Sequence, residues 1–169
     1  MASTLSRGAA IAVGFECPLF VPLGPDESRL TAARVGEGSR SWSAGAGCGA
    51  LATGVVQVAW VLREIRNAVH PSVPAFLCWD DFAAARRGLL IWEAFVSGTA
   101  KGADHVSDAR LGAEAFMAAL PTPARVNAVS CSEGVYSLAG AALLRAGWHS
   151  DVSVLDQACL VVKAGGNAL

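Results

Sequence analysis

The sequence predicts an α/β protein with a mainly parallel or mixed sheet flanked by helices. Short apolar segments alternate with segments of helical periodicity, and the apolar segments carry no polar face. Strands that are apolar on both faces are typical of parallel sheets covered by helices on each side. The 169 residues fit one domain, and no repeat or linker divides them, so we expect a single α/β domain over residues 1–169.

The first third of the chain predicts one strand followed by a long irregular segment. Residues 1–9 show no pattern and are expected to be disordered, whereas residues 10–15 are apolar and end at Glu16, before the break at Pro18. Residues 19–49 are rich in glycine, serine and proline and predict mostly loop. Within them, residues 28–35 predict a short helix with Ser28 as its N-cap.

The strongest helix is predicted over residues 50–69 and ends before Pro71. Residues 41–62 contain no charged residue and are long enough to span a bilayer. Their first part is glycine-rich, however, and glycine-rich segments insert poorly. The apolar residues of this helix also form a one-sided stripe, so we expect a soluble helix and no membrane contact.

The rest of the chain continues the alternation of strands and helices. Strands are predicted over residues 74–79, 89–96, 125–130 and 158–162. Helices are predicted over residues 80–87, 106–120 and 134–146. Pro121 ends the second of these helices, and Gly147 is suited to close the third.

Composition excludes several classes of protein. The net charge of -1 gives no global attraction to nucleic acid, and the one arginine cluster, Arg29, Arg34 and Arg40, is more typical of a solvated loop than of a phosphate-binding surface. Five widely spaced cysteines without a C-x-x-C pair form neither a zinc nor a disulfide signature and indicate the cytoplasm. The mean hydropathy of +0.44 indicates a buried subunit interface, and we expect a homodimer.

Familiar catalytic and phosphate-binding motifs are weak or absent in this sequence. The segment over residues 45–50 is a poor match to a phosphate-binding glycine loop, and a flexible loop with close helix packing is the better interpretation. The sequence has no G-x-S-x-G motif, and no cation or histidine adjoins Cys17 to activate its thiol.

Four carboxylates are the best functional candidates. Glu16 ends an apolar strand, Glu93 lies inside another, and Asp104 and Asp108 are four residues apart at the start of a predicted helix. An isolated buried carboxylate is costly, and the carboxyl ends of parallel strands meet at one edge of the sheet, so these acids could converge there. Carboxylates so placed would hold Mg²⁺ or Mn²⁺. Alternatively, Asp104 is an N-cap and Asp108 complements the helix dipole.

The order of these motifs resembles the domain-of-unknown-function 429 family, which is described as predicted nucleases with a ribonuclease-H-like fold. The similar segments are the strand ending at Glu16 with Pro18 and Leu19, the strand carrying Glu93, and the helix start from Asp104 to Asp108-Ala109. The resemblance covers about the first two thirds of the chain and does not include the family's first-strand Asp. It implies a ribonuclease-H-like fold and nuclease activity with divalent metal.

Two hypotheses follow from the sequence. In the first, Glu16, Glu93 and Asp108 are catalytic and hold Mg²⁺ or Mn²⁺ together with Asp104, and the protein hydrolyses nucleic acid or another phosphate ester. In the second, the chain is a non-catalytic α/β binding or assembly protein, and the same acids are helix caps and surface groups.

Overall fold

Four parallel strands form the central sheet. The computed structural model describes residues 1–165, apart from the side chain of Thr99. Strand β4 (Gly88–Phe95) is the centre of the sheet and pairs with β1 (Ala10–Phe15) along one side. On its other side it pairs with β3 (Ala75–Phe76) near its start and with β6 (Val161–Lys163) near its end. The expected α/β class with a mainly parallel sheet is therefore confirmed.

Helices cover both faces of this sheet. The side chains of β4 point alternately to the two faces, and each face is apolar and packs in its own cluster. Leu89 and Ile91 face the cluster built with α2 (Gly45–Asn67) and α5 (Leu138–Arg145). Leu90 and Trp92 face the cluster built with α3 (Trp79–Ala85) and α4 (His105–Ala119). All seven residues of β4 from Gly88 to Ala94 are buried, as expected for the central strand of a parallel sheet.

Two short elements complete the fold. Helix α1 (Ala2–Ser6) precedes β1, and its Leu5 is buried in the cluster under α2. Residues 2–6 are therefore a helix that is held by the buried side chain of Leu5, whereas the sequence predicts a disordered start. Strands β2 (Phe20–Pro22) and β5 (Val135–Ser137) form a separate antiparallel pair.

Several predicted elements have other boundaries or another type. In place of the helix predicted over residues 28–35, the chain forms a 3₁₀ turn, Glu27–Arg29. The N-cap of this turn is Asp26, whose carboxylate accepts a hydrogen bond from the backbone N–H of Ser28. The predicted strand over residues 125–130 overlaps a second 3₁₀ turn, Pro123–Val126, which begins with proline, the residue that suits the first position of a helix. Only Ser130 makes a bridge, to Val35.

The predicted helix over residues 134–146 is divided between β5 and α5. Ser137 ends the strand and begins the helix, since its Oγ accepts the backbone N–H of Gly140 at 3.0 Å. Gly147 has a φ of +74° directly after the end of α5, which confirms the expected C-terminal glycine.

Helix α2 begins five residues earlier than its apolar periodicity predicts, at Gly45. Gly47 permits this start because a Cβ there would lie 2.3 Å from the carbonyl oxygen of Ser41. The glycine segment is therefore the start of α2 and not the flexible loop expected from the sequence, although the close contact at Gly47 agrees with the expected packing role.

The same helix is long and apolar enough to cross a membrane by length and composition alone, and 17% of its most apolar window is buried. Its core-facing residues Val58, Leu62 and Ile65 pack on the sheet, as the one-sided stripe predicts.

Candidate functional site

The carboxyl ends of β1 and β4 line a partly enclosed cavity of about 380 Å³. Glu16 follows β1 there, and residues 93–98 form the end of β4 and the segment after it. The opposite wall consists of the first turn of α2 and part of the irregular segment before it. Ligands of open parallel sheets bind at this edge, so the cavity lies where the sequence predicts a functional site.

Two of the four predicted acids, Glu16 and Asp108, come together beside this cavity with His105. One potential ligand atom from each residue lies within 4.8 Å of the other two. Glu16 is the first residue after β1, and His105 and Asp108 are three apart in the first turn of α4, so they share one side of the helix. We call Glu16, His105 and Asp108 the acid cluster. The acid cluster could hold a metal ion.

The orientation of Asp108 is fixed by its surroundings. The residue is only 3% exposed, and its Oδ1 accepts a 2.7 Å hydrogen bond from the backbone N–H of Gly102. Its Oδ2 lies 3.6 Å from Nζ of Lys101, which is also 3.6 Å from Oε1 of Glu16. The half-exposed ammonium of Lys101 therefore links the two carboxylates and balances part of their charge.

The charge state of Glu16 depends on these neighbours. Burial raises the pKa of the Glu16 carboxyl, and the negative charge of Asp108 raises it further, while Lys101 and His105 oppose both effects. Two carboxylates that disfavour each other's ionisation are stabilised in the charged form by a nearby cation.

Glu93 does not join the acid cluster, because both of its oxygens are bound to Arg34. The two guanidinium nitrogens donate to Oε1 and Oε2 of Glu93, each at 2.7 Å, and the backbone N–H of Leu19 donates to Oε2 at 3.0 Å. Burial raises the pKa of the Glu93 carboxyl, and the pairing with Arg34 opposes this shift. Glu93 is 2% exposed and lies at the floor of the cavity.

A second buried acid, Glu37, completes this ionic network. Its Oε1 accepts from Nε of Arg34 at 2.9 Å, and its Oε2 accepts from the backbone N–H of the same residue. The backbone N–H of Trp42 also donates to Glu37, at 3.1 Å. Arg34 in addition donates to the carbonyl of Phe20 and lies over its ring. We call Arg34, Glu37 and Glu93 the buried triad; it fastens the irregular segment to the sheet.

Asp104 acts as the N-cap of α4. Its Oδ1 accepts hydrogen bonds from the backbone N–H and the hydroxyl of Ser107, both at 2.7 Å. These bonds lower the pKa of the Asp104 carboxyl. Of the two roles that the sequence allows for this residue, the geometry favours the cap.

Of two other sequence interpretations, the geometry changes the one for the arginine cluster and agrees with the one for Cys17. The arginine cluster is not a solvated loop throughout, because Arg34 is 3% exposed, although Arg29 and Arg40 are exposed. Cys17 is buried, and burial raises the pKa of its thiol to about 12, so the thiol stays protonated at neutral pH.

Sequence reasoning missed His105, Lys101 and Arg34 as members of these networks. His105 carried a usable signal, because it precedes Asp108 by one helical turn on the same side. Lys101 and Arg34 lie in irregular segments, where no periodicity indicates the direction of a side chain.

Comparison of the chain with protein-family models, with curated proteins and with solved structures found no match. The acid cluster and the cavity beside it are therefore the features that indicate a function.

Proposed function

We propose that this chain is a ribonuclease-H-like hydrolase that cleaves a phosphodiester or another phosphate ester with a divalent metal ion. The observation that carries the proposal is the convergence of Glu16, His105 and Asp108 within 4.8 Å at the carboxyl edge of a parallel sheet. His105 takes the place that the sequence hypothesis gives to Glu93, whose oxygens are bound to Arg34.

The residue types of the acid cluster favour Mg²⁺ or Mn²⁺. Carboxylate oxygens suit both ions, and an imidazole nitrogen is a better ligand for Mn²⁺ than for Mg²⁺. A bound divalent ion would lower the pKa of a water molecule and stabilise charge on a phosphate oxygen. Gly102 supports this role because its N–H binds Oδ1 and so holds the Asp108 carboxylate in place, while Oδ2 lies 3.6 Å from Nζ of Lys101.

The expected setting of the protein forms part of the same proposal. All five cysteines are free, which supports a reducing compartment such as the cytoplasm. Helix α2 exposes Val55, Val56 and Trp60, and this apolar surface supports an apolar partner, which we propose to be a second copy of the chain.

A non-catalytic binding or assembly protein is the second candidate, and one observation favours it. Lys101 already pairs with Glu16 and Asp108, so the acid cluster is partly neutralised by the chain itself. If this pairing is its only purpose, the cluster fixes the start of α4 against the end of β1 and binds no ion.

Titration with Mn²⁺, followed by isothermal calorimetry, separates the two candidates. We expect Asp108→Asn and Glu16→Gln each to weaken Mn²⁺ binding by at least about tenfold, since even outer-sphere partners of metal ligands have effects of that size. Asp104→Asn is the matched control, because it removes a charge from the same helix start, Asn is an equally good N-cap, and Asp104 lies outside the acid cluster.

Equal Mn²⁺ binding by wild type and Asp108→Asn, or no binding by wild type, would contradict the metal-dependent function. Circular dichroism of each variant shows whether it is folded, and the amide introduced by Asp108→Asn keeps an oxygen that can accept from the N–H of Gly102. Hydrolysis of bis(p-nitrophenyl) phosphate in the presence of Mn²⁺ then measures whether a phosphodiester is cleaved.

A further inference from the structure

The cavity beside the acid cluster has the size of a small-molecule site. Its volume of about 380 Å³ falls within the range of roughly 300–1,000 Å³ that is usual for ligand pockets. Glu16, a member of the acid cluster, lines the cavity. Lys101, which contacts the acid cluster at Asp108, lines it as well. A ligand in the cavity would therefore lie next to the candidate metal ion.

The charged side chains around the cavity are of two kinds: those paired with each other in the buried triad, and those whose side chains are exposed. The buried triad lines the floor, but its Arg34 already donates four guanidinium hydrogen bonds, to Glu37, Glu93 and the Phe20 carbonyl, and its Nη2 also lies 2.9 Å from Oε1 of Glu37. The charge of Arg34 is therefore already balanced by two buried carboxylates. The cations with exposed side chains are Lys101, which is half exposed and lies 3.6 Å from both Glu16 and Asp108, and Arg40, which forms no ion pair among the described residues.

The other walls of the cavity are apolar and partly aromatic. Trp42 and Phe95 line it together with Pro18. The Trp42 side chain is held in place, because its indole N–H donates to the carbonyl of Ala32 at 2.8 Å and its backbone N–H donates to the buried triad. A ring fixed in this way is a rigid apolar surface on which a planar organic group can pack.

We propose that this cavity binds a small aromatic phosphate monoester of nucleotide size, with the phosphate at Lys101 and Arg40 and the aromatic group against Trp42 and Phe95. The inference rests on the proposed function and narrows its substrate from phosphate esters in general to a small molecule. A polynucleotide would instead need an open groove and a row of cations, whereas the chain has a net charge of -1 and the exposed cations that line this cavity are Lys101 and Arg40.

Binding of adenosine 5′-monophosphate tests this inference without any metal. Calorimetry in the presence of EDTA should show binding to the wild-type protein, and Arg40→Gln and Trp42→Leu should each weaken it by about tenfold, the effect of losing one charge-assisted hydrogen bond or one stacked ring. The matched controls are Arg125→Gln and Trp79→Leu. Both control residues lie outside the cavity, and Trp79 is half-buried, as Trp42 is.

Three further probes sharpen the result. Inorganic phosphate and adenosine should each bind more weakly than the nucleotide, and a single-stranded 12-mer oligonucleotide should bind no tighter than adenosine 5′-monophosphate. Absence of nucleotide binding, equal losses in the controls, or tighter binding of the oligonucleotide would overturn the inference. Because these measurements exclude metal, they can fail while the Mn²⁺ titration succeeds, and the two proposals remain distinguishable.

Discussion

At the scale of single residues, the burial of Glu93 is explained by a partner far away in the chain. A buried carboxylate is costly without compensation, and Glu93 receives three hydrogen bonds, two of them from the guanidinium of Arg34. Arg34 lies 59 residues earlier, in an irregular segment. The pair therefore joins the loop that forms one wall of the cavity to the central strand that forms its floor.

Removing one member of this pair should strongly destabilise the protein. Glu93→Ala leaves Arg34 buried without its main partner, and we expect a loss of about 3–5 kcal/mol in the free energy of unfolding. Arg34→Met alone leaves both Glu37 and Glu93 without their partner, whereas the double variant Glu93→Leu with Arg34→Met leaves only Glu37, so the cost of the double variant should be smaller than the sum of the two single changes. Urea unfolding followed by circular dichroism measures all of these values.

The matched control is the exposed pair of Arg110 and Glu114 on α4, which are 3.8 Å apart. Glu114→Ala should change the free energy of unfolding by only about a few tenths of a kcal/mol, because solvent screens this pair. If Glu93→Ala proves no more costly than Glu114→Ala, the buried triad does not stabilise the fold as argued.

The sequence predicted that Glu93 lies inside an apolar strand, but it did not predict which group compensates its charge. An acid within eight residues of strand must be compensated, and that requirement follows from residues 88–95 alone. The compensating group could not be identified, because Arg34 and Glu37 belong to a segment without periodicity. Glu16 and Asp108 were easier to place, since each lies at the end of a regular element whose direction fixes where the side chain points.

At the scale of elements, α2 packs against the segment that follows β1 through a close contact at Gly54. A Cβ at this position would lie 2.5 Å from Sγ and 2.6 Å from Cβ of Cys17, the second residue after β1. This contact brings the helix close to the carboxyl edge of the sheet, where its first turn forms a wall of the cavity. The periodicity of residues 51–69 predicted the helix and its core-facing side, but the glycines at its start carry no apolar pattern, so its true beginning was missed.

Two glycine substitutions in this one helix should have opposite effects. Gly54→Ala should lower the free energy of unfolding by about 1–3 kcal/mol, because the added methyl group forces α2 away from Cys17. Gly49→Ala meets no atom within 4 Å and should raise stability by up to about 1 kcal/mol, since alanine loses less backbone entropy in a helix. Thermal and urea unfolding of both variants measure the difference. An unchanged free energy of unfolding for Gly54→Ala would contradict the close packing of α2 against Cys17.

At the scale of the whole molecule, the exposed apolar side chains of α2 are the feature that bears on whether the protein is a monomer or an assembly. The sheet is covered on both faces within the chain itself, so its interior needs no partner. The alternation of strands and helices in the sequence was sufficient to predict this layered architecture. The periodicity of α2 placed Val55 in the apolar stripe that faces the core, and this is wrong, since Val55 is exposed together with Val56 and Trp60.

The expected homodimer can be tested at this surface. Size-exclusion chromatography with light scattering should give about twice the chain mass of 17.3 kDa for the wild type. Val56→Lys places a charge in the apolar surface of α2 and should shift the protein to monomer, because an unpaired charge buried in an interface costs several kcal/mol. Val152→Lys is the control, since Val152 is 68% exposed, nearly the same as the 69% of Val56, but does not lie on α2. A monomeric wild type, or equal effects of the two substitutions, would contradict a dimer formed through α2, and co-sedimentation of the protein with liposomes would favour a membrane partner for the helix instead.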